Sequence, residues 1–282
     1  MKIAINGLSG FVGGYVSKFL ASKGHEIVPI KRALYNDTQG LKKAIEGADV
    51  IINLAGANIS KKWSEEYKKE LYSSRINTTK NLVKTMSLLK NPPKIFISTS
   101  AVGIYKSGEE HDESSDRYDE GFLGKLAKEW ESEANKAKEF GVKTAIFRLS
   151  VVLGNGGALE KMLPVFKFGL GGILGDGKQG FSWISINDLA RAYEFVINSQ
   201  KEGVYNLSSP NPVTNKIFTA SLAKALNRPA FFKVPNFALK LKFGEGAVIL
   251  LEGQKVYPAN LLAQGFKFEH ENISEALENL IC

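Results

Sequence analysis

Lys2-Ile3-Ala4-Ile5-Asn6-Gly7-Leu8-Ser9-Gly10-Phe11-Val12-Gly13 opens the chain, and its reading decides the fold. Lys2–Asn6 is a short, mainly apolar run that reads as a buried strand, and the glycines after it read as a tight turn. Phe11–Lys23 then carries apolar residues at helical spacing (Phe11, Val12, Val16, Phe19, Leu20) and closes on Gly24. A glycine triplet of this spacing, entered from a strand and left through a helix, is built to receive a dinucleotide pyrophosphate. Gly7 permits the turn, Gly10 lets backbone approach a phosphate, and Gly13 lets the helix pack closely on the sheet. Ser9, Gly10, Phe11 and Val12 sit where the helix start offers free N–H groups and a positive dipole end.

The same rhythm continues outward. Glu26–Lys31 reads as a second strand, Asp37–Glu46 as a short helix stopped by Gly47, and Asp49–Leu54 as a third strand. The third is wholly apolar from Val50 to Ile52, as a sheet covered on both faces requires. Ser64–Leu89 reads as one long helical stretch, followed by a strand at Lys94–Ser98, a helix at Phe122–Phe140 and a strand at Lys143–Leu149. Strands alternating with helices predict an α/β fold: a Rossmann-type doubly wound parallel sheet, with its ligand crevice at the carboxyl ends of the strands. Beyond Leu149 the chain turns glycine-rich (Gly154, Gly156, Gly157, then Gly169 to Gly180), and a helix at Asn187–Asn198 and a strand at Gly203–Leu207 return to the sheet. Residues 1–155, completed by 184–208, are therefore expected to form a dinucleotide-binding domain. Residues 156–183 and 209–282 are expected to form a smaller, mainly helical substrate-side lobe.

Composition narrows the function classes. The chain has 282 residues, 44% of them hydrophobic, enough for a large core. No window approaches the roughly 18 uninterrupted apolar residues of a membrane span, so no membrane partner is expected. Met1–Asn6 already reads as core strand, leaving no room for a leader, and the single cysteine, Cys282, rules out an internal disulfide. Both point to the cytoplasm. The net charge is +8, but only six of the 37 basic residues are arginine, and the lysines alternate with glutamates at 61–69 and 125–138. That is a solvated surface rather than a nucleic-acid reader, so no nucleic-acid partner is expected. His25, His111 and His270 are too dispersed for a metal site, and no metal is expected. Glu109-Glu110 and Asp112-Glu113 read as a solvated acidic turn.

The end of the second strand selects the cofactor. An acidic residue there grips a ribose 2′-hydroxyl; this strand ends in Lys31-Arg32, which suits a 2′-phosphate and predicts NADP(H) over NAD(H). Asn53-Leu54-Ala55-Gly56, after the third strand, supplies small residues where backbone passes close to the nucleotide.

Beyond the glycine turn, NLAGAN (53–58), SRINTT (74–79), STSAVGIY (98–105), FLGKLAKEWE (122–131), RLSVVLGNGG (148–157), GKQGFSWISIND (177–188) and YNLSSPNPVTN (205–215) span nearly the whole chain. Together they resemble the extended short-chain dehydrogenase/reductase superfamily, and within it the atypical, NAD(P)-dependent epimerase-like family with a distinctive C-terminal region. The resemblance implies a Ser–Tyr–Lys catalytic set beside the nicotinamide. Ser100 matches the serine, which would hydrogen-bond a substrate carbonyl or hydroxyl. The tyrosine and lysine places, however, fall on Leu123 and Ala127, neither of which transfers a proton. Lys125 is out of register by about half a turn. Tyr105 is a weak substitute, reaching toward the nicotinamide or simply packed in its loop. Arg148 either holds an anionic substrate or lies in a buried salt bridge, and Trp183 shapes the pocket wall. Where the family often has histidine, this chain has Ser185. Two readings stay open: an NADP(H)-dependent oxidoreductase or epimerase-like enzyme for a small polar substrate, and a non-catalytic NADP(H)-binding sensor or partner-binding protein. Monomer and homodimer are equally compatible with the sequence.

Overall fold

A computed structural model describes residues 1–281, and Cys282, on which the redox argument rests, lies outside them. Six strands make the central sheet: β1 (Lys2–Asn6), β2 (Glu26–Ile30), β3 (Val50–Asn53), β4 (Ile95–Ala101), β5 (Lys143–Leu149) and β6 (Gly203–Leu207). All neighbours are parallel, in the order β2-β1-β3-β4-β5-β6. The longer helices are α1 (Phe11–Ser22), α2 (Thr38–Ile45), α3 (Glu65–Ser73), α4 (Ile76–Met86), α5 (Phe122–Asn135), α6 (Gly157–Lys167), α7 (Ile186–Ser199), α8 (Asn215–Ala225), α9 (Asn236–Phe243) and α10 (Ile273–Ile281).

The two-residue period of a strand sends alternate side chains to opposite faces. Ile3, Ile5, Ile52 and Ile97 join Val16 and Leu20 of α1 and Leu189 and Tyr193 of α7 in one core. Ala4, Ile51, Phe96 and Ile146 join Leu41 of α2, Leu82 and Met86 of α4, and Ala134 of α5 in another. Helices thus cover both faces, so the strands read as unbroken apolar runs. A third core, with Leu159, Trp183, Phe218, Leu222 and Leu277, unites α6, α8 and α10 beside the sheet.

The strand order reverses between β1 and β3, and the crevice opens there. Two buried asparagines latch its floor. Asn6 Nδ2 donates to Asn53 Oδ1 (2.7 Å), and the Leu54 N–H donates to Asn6 Oδ1 (2.6 Å).

Two sequence expectations change. The stretch 64–89 is two helices, not one: the chain breaks at Ser74-Arg75, where the Arg75 guanidinium folds back onto the Leu71 carbonyl (3.1 Å). The acidic segment 109–113 is docked rather than solvated. Glu110–His111 pairs in parallel with Lys255–Val256, and the Glu113 carboxylate accepts the backbone N–H groups of Asn206 (2.7 Å) and Asn260 (3.2 Å). The carboxylate satisfies both amides, which offsets the cost of its own burial. Burial raises the Glu113 pKa, whereas hydrogen bonds from Arg117 and Lys106 hold half-buried Glu109 at about 2.

Candidate dinucleotide and substrate site

Gly7 leaves β1 at φ +73°, and a Cβ on it would lie 2.6 Å from the Leu54 carbonyl oxygen. A Cβ on Gly13 would lie 2.3 Å from the Gly7 oxygen, so α1 reaches the sheet only because residue 13 has no side chain. No side chain caps α1, and the first amide to find a partner in the helix is Gly14, which donates to the Gly10 carbonyl at 2.9 Å. The amides of Phe11, Val12 and Gly13 are left to an outside acceptor, beside exposed Ser9 and Gly10. This arrangement fits a pyrophosphate. The Phe11 side chain packs the other way, its ring lying over Gly154, Gly156 and Gly157, and a Cβ on Gly156 would come within 2.4 Å of it.

Lys31 and Arg32 follow β2, both exposed, and Arg32 starts a one-turn 3₁₀ segment leading to Tyr35. Burial raises the Tyr35 phenol, opposed by a hydrogen bond from the Gly7 amide and by the charge of Arg32. β1 and β2 end in register, Asn6 beside Ile30, which brings Lys31 and Arg32 next to the glycine turn. Across the crevice, Asn53 is buried with its amide spent on Asn6 and on Thr79 Oγ1 (2.7 Å), and Ala55 is buried too. Gly56 is exposed, directly over the Arg75 guanidinium: its Cβ would lie 3.1 Å from the guanidinium carbon. Arg75 donates to Leu71 and Ala57 carbonyls (3.1 and 3.0 Å) and lies 5.4 Å from the Trp130 ring. No carboxylate pairs with it among the described residues, and burial pulls its pKa down to about 10. Sequence reading passed over Tyr35 and Arg75. The SRINTT stretch held the signal, but an arginine inside a helical run reads as surface.

At the carboxyl end of β4 the catalytic candidates form one buried network. The Ser100 hydroxyl donates to Glu131 Oε1 (2.6 Å), and Arg148 spans both Glu131 oxygens at 2.8 Å each. Arg148 also donates to the Tyr105 hydroxyl (2.7 Å), which donates to Asn206 Oδ1 (2.9 Å). Ser100 and Tyr105 are almost fully buried, and neither hydroxyl proton is free. Burial, opposed by Arg148, lifts the Tyr105 phenol to about 12. Of the two roles open to Arg148, the geometry displays the buried ion pair. Glu131 closes the FLGKLAKEWE stretch, and nothing in the sequence marked it as a site residue.

Leu123, in the tyrosine's place, packs 3.7 Å from where a Cβ on Gly103 would lie, and Ala127 is buried with Ile104, Tyr105 and Val256. Lys125 is exposed on α5. Trp183 is fully buried in the third core, donating through Nε1 to the Asn211 carbonyl (3.2 Å). Ser185 caps α7 and lies 3.3 Å from His270 Nδ1. Asp188, Glu269 and His270 cluster there, but Arg191 is already the cation between them, 2.8 Å from Asp188 and 3.2 Å from Glu269.

A parallel sheet with a phosphate-ready turn at its switch point defines a dinucleotide-binding Rossmann protein. Residues 3–208 match the NAD dependent epimerase/dehydratase family, and the chain belongs to that family. Residues 234–280 match a C-terminal domain of unknown function, DUF1731. The chain is 36% identical to the chloroplastic epimerase family protein SDR39U1 homolog of Arabidopsis thaliana, over all of this chain and 87% of that one. It is 35% identical to the epimerase family protein SDR39U1 of Mus musculus, over the whole of both. The crystal structure of human SDR39U1 (isoform 2) with NADPH superposes with a TM-score of 0.91 at 32% identity, covering 100% of this chain and 99% of that one.

Proposed function

We propose that this chain binds NADP(H) in the β1/β3 crevice and acts as an NADP(H)-dependent oxidoreductase or epimerase-like enzyme on a small polar substrate. The observation that carries this reading is the uncapped start of α1, whose three outward amides follow β1 next to the β2 end that carries Arg32, with Arg75 under Gly56 across the crevice. Phosphate oxygens satisfy the amides, Lys31 and Arg32 take the ribose 2′-phosphate, and Arg75 adds positive potential beneath Gly56. Leu54 and Ala55 line the opposite wall. The NADPH-bound human relative supports the choice of cofactor. When bound, the dinucleotide supplies or takes up a hydride; the protein holds its partner. Ser100 sits at the strand end where that partner belongs, its proton given to Glu131 and its lone pairs left to accept. The third core, which joins α6, α8 and α10, supports a substrate-side lobe, but Leu261, Phe266 and Phe268 pack into the first sheet core, so that part of 209–282 sits with the dinucleotide-binding domain; Arg148 backs the site from the end of β5.

The first experiment is a titration of the protein with NADPH and with NADH, in the wild type and in Arg32→Ala. NADPH binding weakened about tenfold or more with NADH unaffected is the expected result, one charge-assisted contact being about 1.5–3 kcal/mol. Equal affinities, unchanged in the variant, would remove the phosphate-reading role from Arg32.

A second reading, a cofactor-binding sensor without turnover, is favoured by one observation: both hydroxyl protons of the network are committed, and Leu123 and Ala127 offer none. A panel of alcohol substrates with NADP⁺ and carbonyl substrates with NADPH, followed by nicotinamide absorbance with Ser100→Ala as control, separates the two.

A further inference from the structure

From Gly203 to Gly244 the sequence holds no aspartate or glutamate, while Lys216, Lys224, Arg228, Lys233, Lys240 and Lys242 fall within it. None of these six enters an ion pair among the described residues. Three large apolar side chains toward the end of the same segment project outward: Phe231 is 89% exposed, Leu241 80% and Phe237 73%. Phe237 and Leu241 lie one turn apart on α9, away from buried Leu239. Phe168, 81% exposed, stands on the adjoining turn. That turn is tied to the segment, because Arg228 Nε donates to the Lys167 carbonyl (3.0 Å) and Phe232 is the strand partner of Gly172.

We propose that this face of the substrate lobe docks peripherally on an anionic lipid bilayer. Shape argues for lipid. Side chains this exposed are knobs standing clear of the surface; a protein partner needs a fitted pocket for each, whereas a headgroup–acyl boundary yields around them. Charge argues against a second copy. A two-fold interface through these exposed side chains would set Lys233, Lys240 and Lys242 against themselves, with Glu245 and Glu252 beside Lys240 as the acidic groups at the edge, while an anionic leaflet neutralises the lysines. Five of the six are lysines, point charges suited to a diffuse negative surface rather than to the forked reading of bases. No helix among the described residues is long and apolar enough to cross a membrane, so the contact is an interfacial one. The expectation drawn from sequence, that no segment spans a membrane, is left as it stands.

The test is co-sedimentation of the full chain with vesicles of phosphatidylcholine containing about one third phosphatidylglycerol, and with neutral phosphatidylcholine vesicles. Binding to the anionic vesicles should exceed binding to the neutral ones about tenfold, and fall about tenfold as salt shortens the screening length from about 10 Å toward 3 Å. Phe231→Ser with Phe237→Ser, and separately Lys233→Glu with Lys240→Glu, should each lower it about tenfold with Tm unchanged, since all four side chains are exposed. Absence of sedimentation, or equal sedimentation with both vesicle types, overturns the proposal. So does a lipid-free dimer that the phenylalanine variants dissolve, which would assign the face to self-association.

Discussion

Glu131 and Arg148 meet in a two-point ion pair, Nε and one terminal nitrogen each donating across 2.8 Å, with the arginine side chain 4% and the glutamate 10% exposed. Burial works against the charged arginine, but the hydrogen bonds and charge of Glu131 outweigh it, and the net pKa shift is upward. Removing one partner leaves a buried charge alone. Glu131→Gln should cost about 3–5 kcal/mol in urea unfolding, and Glu131→Gln with Arg148→Met should recover part of that loss.

Tyr105 gives the fold an alkaline limit. Its folded phenol, at about 12, lies above the ordinary 10, so the unfolded chain ionises first. The contribution is fully present below pH 10 and is lost as pH rises through about 12. A shift of this size corresponds to about 2–3 kcal/mol. Denaturant titrations of wild type and Tyr105→Phe across that window should show the steeper fall in the wild type; parallel slopes would dismiss the account.

Arg75 and Arg32 should part company in cofactor titrations. Arg75 lies under Gly56, so Arg75→Gln should weaken NADPH and NADH alike by about tenfold, within the usual value of a charged contact. Selective loss of NADPH alone would move Arg75 to the 2′-phosphate instead.

Two glycines make a matched pair. Gly13→Ala places a methyl 2.3 Å from the Gly7 oxygen and should cost about 1–3 kcal/mol with loss of NADPH binding. Gly24→Ala, at φ +83° with open space around it, should cost only the backbone strain of about 1–2 kcal/mol and leave binding unchanged.

Restoring the superfamily pair should fail. Leu123→Tyr with Ala127→Lys drives an ammonium among Ile104, Tyr105 and Val256, and should lower stability by about 3 kcal/mol with no gain in hydride transfer. A faster enzyme would show that the buried cluster yields to make a site.

The strands were legible because period and punctuation are local. Lys2–Asn6 and Lys143–Leu149 fall where apolar runs and flanking glycines place them. The glycine turn was legible for the same reason. Partners distant in sequence were not. Glu131 looks like any helical glutamate until β5 brings Arg148 beside it, and Glu113 looks solvated until Asn206 and Asn260 present their amides. Arg75 illustrates a third kind of blindness. Its helical spacing hides a break that turns the guanidinium under a loop some 20 residues earlier in the chain.

Phe11 and the glycines at 154, 156 and 157 form a single sterically shared volume, although some 140 residues separate them. Variation at these four positions is therefore interdependent. A side chain at 156 is admissible only where residue 11 has become small, and a small residue 11 beside three glycines leaves a void that loosens the road into α6. Any redesign of the cofactor turn must rewrite both places together.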